Sequence, residues 1–216
     1  ILDAQQQVGA GTPHIEKVRM GFNHPLFIEA QADLVKSGLQ SLEPLRRATA
    51  KILFTAHSIP MSMAVNSRYA QQLFEACRLV AQAIGHSDWE LVYQSRSGPP
   101  QQPWLEPDVC DRIEALPGEG TRDVVVVPIG FISDHMEVLF DLDTEAMELC
   151  QRLKLGFVRV PSVGIHPRFV TMIAQLLQER IEQLDTRPAL GPLGPSHDVC
   201  PVDCCLYPQT TPSRGG

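Results

Sequence analysis

The chain has 216 residues, a formal net charge of −7, and 44% hydrophobic against 20% charged content. That length supports a real core, and the composition is ordinary for a globular protein. The acidic balance leaves no basic stripe to neutralise phosphates, which argues against nucleic acid as a partner. No apolar run approaches the roughly 20 residues of a membrane span, and ILDAQQQVGAGTPH at the start lacks the pattern of a secretory signal. The six cysteines divide into Cys77, Cys110 and Cys150, set singly in helical patterns, and a tail group of Cys200, Cys204 and Cys205. The first three read as small buried hydrophobes. Nothing resembles a secreted disulfide framework, so a reducing, cytoplasmic setting is expected.

Residues 1–20 carry no strong pattern. From Pro25, the apolar positions Leu26, Ile28, Ala32, Leu34, Val35 and Leu39 predict a helix ending near Gly38 to Ser41, with Asn23 as its cap. Lys51 to Ala56 (KILFTA) predicts a short strand broken by His57-Ser58-Ile59-Pro60. Tyr69, Leu73, Cys77, Val80 and Ile84 recur at helical spacing within Ser67 to Ile84, and Gly85 stops that helix. Glu90 to Gln94 is the next strand, followed by the loop SRSGPPQQPWLEP. Pro107 sits where a first helical turn accepts it, so a helix is expected from there to about Leu116.

After the turn PGEGT come four valines, Val124 to Val127, then Pro128 and Gly130. A β-branched run so bounded reads as a strand buried on both faces. An acidic helix is expected to open directly from its C-terminal end and to continue to about Leu153. Gly156 to Val160 is the last strand, and Pro167 opens a helix through Phe169, Met172, Leu176 and Ile181. Beyond Thr186, the Pro/Gly density of RPALGPLGPSHD predicts a linker and flexible tail, 187–216. The alternating order predicts an α/β fold, a doubly wound parallel sheet with helices on both faces.

Three strand ends offer chemistry. Glu137, Asp141 and Glu145 recur every four residues. On an α-helix each such step turns about 40°, so the carboxylates fan over roughly 80°; a wider π-type turn would draw them into line. Like charges at that spacing repel, which a wet helix face or a bound cation resolves. Oxygen ligands in a row suit a hard or borderline divalent cation. His57 closes another strand. In a parallel sheet both strand ends face one side, so His57 and Glu137 could meet across one cleft as an acid/base pair or half of a metal site. A structural histidine is the blander alternative. Gln94, Ser95 and Arg96 leave a third strand end and, with Trp104, offer donors, a cation and an aromatic face to a flat anionic ligand. Neither GxGxxG, Walker A nor GxSxG is present.

At these residues the chain resembles the ferrochelatase family, which inserts ferrous iron into a porphyrin in haem synthesis. FNHPLFIEAQAD, ILFTAHSIPMS, LVYQSRSGPPQQPWLEP, VVVVPIGFISDHMEVLFDLDTE and HPRF carry the resemblance over roughly residues 20 to 185. It implies a chelatase-like domain over 21–186, the second of two similar domains, with 1–20 connecting to the first. It also implies that His57 binds the incoming metal or accepts pyrrole protons and that Glu137 faces it across the porphyrin. Asp141 and Glu145 would form the acidic line of a π-helix, Asp134 and His135 a supporting turn, and Gln94, Ser95 and Arg96 a loop near the macrocycle. Ferrous iron and either protoporphyrin or coproporphyrin are the implied substrates, with peripheral membrane contact for handing on an apolar product.

The chain departs from the family in three ways. Only the second domain is matched, so the opposite cleft wall would come from elsewhere. Asp141 stands where many relatives carry Glu. The tail resembles that of relatives with a [2Fe–2S] cluster, yet a cluster needs four ligands, and Ala30 occupies the position of one family cysteine. Cys77, Cys110 and Cys150 are the remaining thiols. Two other readings stay open: a non-catalytic haem- or metal-binding module, and a chelatase for another metal or tetrapyrrole.

Overall fold

The computed structural model describes residues 2–99 and 101–206. Four strands, β1 (Lys51–His57), β2 (Trp89–Gln94), β3 (Asp123–Val127) and β4 (Gly156–Arg159), form one sheet in the order β2-β1-β3-β4, every pairing parallel. Parallel neighbours need long crossovers, and helices supply them. The helices are α1 (Leu2–Val8), α2 (Pro25–Gln40), α3 (Pro44–Ala48), α4 (Met61–Ala64), α5 (Tyr69–Ile84), α6 (Val109–Ala115), α7 (Met136–Val138), α8 (Met147–Leu153) and α9 (Pro167–Glu182). A 3-10 turn, Leu116–Glu119, ends α6, and a π-helix, Leu139–Ala146, joins α7 to α8.

Alternation along the strands divides the interior. Ile52, Phe54, Val125 and Val127 face one core with Phe27, Val35, Cys77, Val80, Phe169 and Leu176 of α2, α5 and α9. Leu53, Val92, Val124 and Val126 face the other, with Val109 and Ile113 of α6, Leu142 of the π-helix, and Leu149 and Cys150 of α8. Val124 to Val127 are wholly buried, each worth about 1.5–3 kcal/mol as a buried aliphatic side chain. The sheet is therefore doubly wound, as its sequence order predicts. No described helix is long and apolar enough to cross a membrane.

Several expected boundaries shift for local reasons. His24, and not Asn23, caps α2, its Nδ1 accepting from the Leu26 amide at 3.2 Å. Asn23 is buried, and its side-chain amide donates to the carbonyls of Leu190 and Gly194, both at 2.9 Å. Pro107 lies before α6; Asp108 is the cap, its carboxylate accepting from the Cys110 amide at 2.8 Å. Pro107 instead accepts from the Tyr93 amide, extending the edge of β2. The acidic helix does not open directly from β3, because residues 128–135 intervene as a loop. The short helices α3 and α4 carry too few apolar positions for periodicity to reveal them.

Candidate active site

The C-terminal ends of β1, β2 and β3 face one side of the sheet. His57 is the last residue of β1, in register with Gln94, the last of β2. Its Nδ1 stands 2.5 Å from the Ser58 carbonyl. A carbonyl can only accept, so Nδ1 carries a proton and Nε2 is the nitrogen left facing the cleft. Nε2 points to Glu137, 3.7 Å from Oε1, with both side chains partly open to solvent at 37% and 48% exposure. The Tyr69 hydroxyl donates to the His57 carbonyl at 2.9 Å. Burial pushes that phenol up to about 12, so it remains a donor.

The loop after β3 sets this approach. The Gly130 amide donates to the Thr55 carbonyl of β1 at 3.0 Å. A Cβ on Gly130 would lie 2.6 Å from the Ala56 Cβ and 2.8 Å from its Cα. Only a residue without a side chain lets the loop cross β1 so closely. Asp134 ties the loop onward, accepting from Arg159 at 2.9 Å and from the Ser162 hydroxyl at 2.6 Å. Burial alone would raise the Asp134 carboxyl; these donors outweigh it and hold the group below its ordinary range. His135 caps α7 through Nδ1, 3.4 Å from the Val138 amide, and packs edge-on against Phe131.

The acidic helix divides its carboxylates. Asp143 turns away from the row to Arg159, accepting from Nε at 2.8 Å and Nη2 at 3.1 Å. Asp141 accepts from Gln94 Nε2 at 3.0 Å and from the Ser95 hydroxyl at 2.5 Å. Gln94 and Ser95, expected near a flat ligand, thus hold the helix carboxylate in place. Asp141 and Glu145 line a cavity of about 190 Å³ with Gln94, Ser95, Arg96 and Asp108. Burial raises the Asp108 carboxyl, and burial with nearby carboxylates pushes the Cys110 thiol up to about 12, so this wall holds little thiolate. Arg96 brings positive charge to the rim, donating to the Gln102 carbonyl at 3.2 Å beside Glu106 at 3.9 Å. Trp104 bridges to Pro60 in antiparallel fashion, its indole N–H buried.

Among the described residues, His57, Glu137, Asp141 and Glu145 do not converge as three ligand atoms within 4.8 Å. His57 and Glu137 form a pair, and Asp141 and Glu145 of the π-helix line the neighbouring cavity. Sequence reading missed Arg159, whose signal was a basic residue at a strand end facing an excess of acids. It also missed Asp108, whose proximity depends on the long loop after β2. A larger recess of about 670 Å³ lies along edge strand β2 among Phe74, Trp89, Leu91 and Tyr93, apart from His57 and Glu137. The cysteines separate: Cys77 and Cys150 are buried in the two cores, Cys110 lines the acidic cavity, and Cys200, Cys204 and Cys205 lie in the tail. The described residues therefore do not assemble the four thiols of an all-cysteine [2Fe–2S] site.

A family model described as Ferrochelatase matches residues 2–181. Ferrochelatase of Rhodopirellula baltica is 57% identical over 218 residues, covering 100% of this chain and 62% of that protein. Coproporphyrin III ferrochelatases of Nocardia farcinica and Streptomyces griseus are 41% and 43% identical, covering 99% and 100% of this chain and 64% and 62% of theirs. The chain thus spans less than two thirds of the length of these curated relatives. A solved structure, a protein described as CbiX of cobalamin (vitamin B12) biosynthesis from Marinobacter aquaeolei, is a looser likeness. Its TM-score is 0.45 at 19% identity, over 62% of this chain and 99% of that one.

Proposed function

The chain belongs to the ferrochelatase family, and on that premise we propose that it carries the metal-inserting half of a ferrochelatase, placing ferrous iron in a porphyrin. The observation behind this reading is the His57–Glu137 couple, 3.7 Å apart, His57 at the end of β1 and Glu137 in α7 beyond the loop that follows the adjacent strand β3. A porphyrin loses two N–H protons as the metal enters. His57 Nε2 takes the two protons in turn, with Glu137 stabilising the imidazolium and passing the first proton outward before the second is taken. Ferrous iron in transit needs weak, exchangeable oxygen ligands, the part assigned to Asp141 and Glu145; a closed cage would retain it.

The macrocycle requires apolar surface. Met61, Met63 and Val65 stand exposed after β1, and Ile132, Met136 and Phe140 stand exposed after β3, on the segments that flank the couple. A second α/β domain would close the opposite wall over the 21–186 unit. The relatives named for coproporphyrin III favour that porphyrin over protoporphyrin, with Arg96 meeting a propionate and Trp104 backing the loop. A cytoplasmic setting with transient membrane contact belongs to the same reading. No step runs through the tail cysteines.

The test is anaerobic loss of porphyrin fluorescence with ferrous iron, using the full-length protein. Metallated product is expected, faster with coproporphyrin III, and His57→Ala should lower the rate about 100-fold or more. Saturable porphyrin binding without product would make the protein a haem- or metal-binding module. Insertion of cobalt but not iron would make it a related chelatase. An unchanged rate in His57→Ala would remove His57 from the mechanism.

A further inference from the structure

The tail gathers soft donors that the chelatase reading leaves unused. The ligand atoms of His197, Cys200 and Cys204 all lie within 4.8 Å of one another, the one such trio among the described residues. Cys205 Sγ stands 3.5 Å from Cys204 Sγ. The spacing His197-x2-Cys200-x3-Cys204-Cys205 places an imidazole and three thiols within nine residues of chain.

We propose that His197, Cys200 and Cys204, with Cys205 as fourth donor, hold a single zinc-class divalent ion. The inference is independent of the chelatase reading. Thiolates and imidazole are the ligands such an ion prefers in closed structural sites. Compactness separates this from a two-iron cluster. A tetrahedral ion with metal–sulfur bonds of about 2.3 Å sets its ligand atoms roughly 3.5–3.8 Å apart. The observed trio needs only a slight contraction to reach that. A two-iron cluster divides its ligands between two metals, so donors on different irons stand further apart.

The surrounding chain is already anchored. Asn23 holds Leu190 and Gly194, Arg187 pairs with Asp198 at 2.6 Å, and Lys17 Nζ lies 3.6 Å from Cys200 Sγ. Little further ordering is needed on binding. His197 and Cys200 are exposed, which gives an ion direct entry. The bound ion would fasten the tail over the segment carrying Lys17 to Asn23.

Cobalt(II) titration of the metal-free full chain provides the test, followed by visible spectroscopy and metal analysis. One ion per chain is expected, with thiolate charge-transfer and the intense ligand-field bands of a tetrahedral site, displaced by zinc. His197→Ala should keep the thiolate bands and weaken affinity roughly 100-fold. The Cys200→Ser/Cys204→Ser double variant should abolish binding with an unchanged far-UV spectrum. Cobalt binding as tight in His197→Ala as in the parent would overturn the proposal. So would two irons with inorganic sulfide in the protein as isolated, or no saturable binding at all.

Discussion

Ser95 shows how a single residue serves the site at a local cost. Its φ is 61°, a left-handed conformation that disfavours side chains other than glycine's. The hydroxyl gains the contact to Asp141 in return. Stability and function should therefore separate at this position. Ser95→Gly relieves the backbone and should be about 1 kcal/mol more stable than Ser95→Ala in urea denaturation. Both variants lose a hydrogen bond to a charged group, worth about 1.5 kcal/mol, and should raise the apparent KM for iron about tenfold. If Ser95→Ala metallates with an unchanged iron KM, Asp141 does not lie on the iron path.

At the scale of elements, the site depends on how closely the loop after β3 crosses β1. Gly130→Ala places a methyl against β1 backbone, which cannot yield as a flexible side chain would. A loss of about 1–3 kcal/mol is expected by thermal or urea unfolding, with metallation falling as Glu137 moves from His57. The tie between β2 and α6 is electrostatic. Glu90 accepts from Arg112 at 2.5 and 2.8 Å and pairs with Lys51 at 2.7 Å. Chiefly the Arg112 bonds lower its carboxyl from the ordinary 4.5 to about 2. A depressed carboxyl stabilises the fold above its unfolded value, and the contribution drains away as pH falls towards the folded value. Glu90→Gln should thus be less stable at pH 7 by about 1.5 kcal/mol. The gap should close as pH drops from about 4.5 to about 2. A constant difference across that range would mean that packing, not charge, holds β2 to α6.

Across the whole molecule, remote segments meet at Arg19. It is 2% exposed, bonds Glu179 of α9 at 2.6 and 2.9 Å, and donates to the Pro188 carbonyl at 3.0 Å. The chain before α2, the last helix and the strap beyond it are thereby joined. Breaking one side of a buried ion pair leaves the other charge buried and uncompensated. Arg19→Ala should cost about 3–5 kcal/mol in urea denaturation. Arg19→Ala/Glu179→Ala should recover part of that loss, because the orphaned carboxylate is gone. Equal losses in the two variants would show that the pair contributes through packing alone.

The sequence by itself determined the layered fold, because continuous apolar runs such as Val124 to Val127 have one stable environment, a strand covered on both faces. It also made a meeting of His57 and Glu137 possible, since parallel strands deliver their C-terminal ends to one side, but the loop crossing β1 at Gly130 brings the two side chains together. The α2 boundary was not legible: Asn23 is the favoured cap by residue type, but the distant carbonyls of Leu190 and Gly194 engage its amide, and His24 caps the helix instead. Nor could periodicity reveal that Asp143 leaves the acidic row for Arg159, or that Gln94 and Ser95 grip Asp141. It could not show His197 joining the tail thiols either. Those contacts span gaps that no local pattern encodes, and the tertiary fold alone decides which charges and donors come within bonding distance.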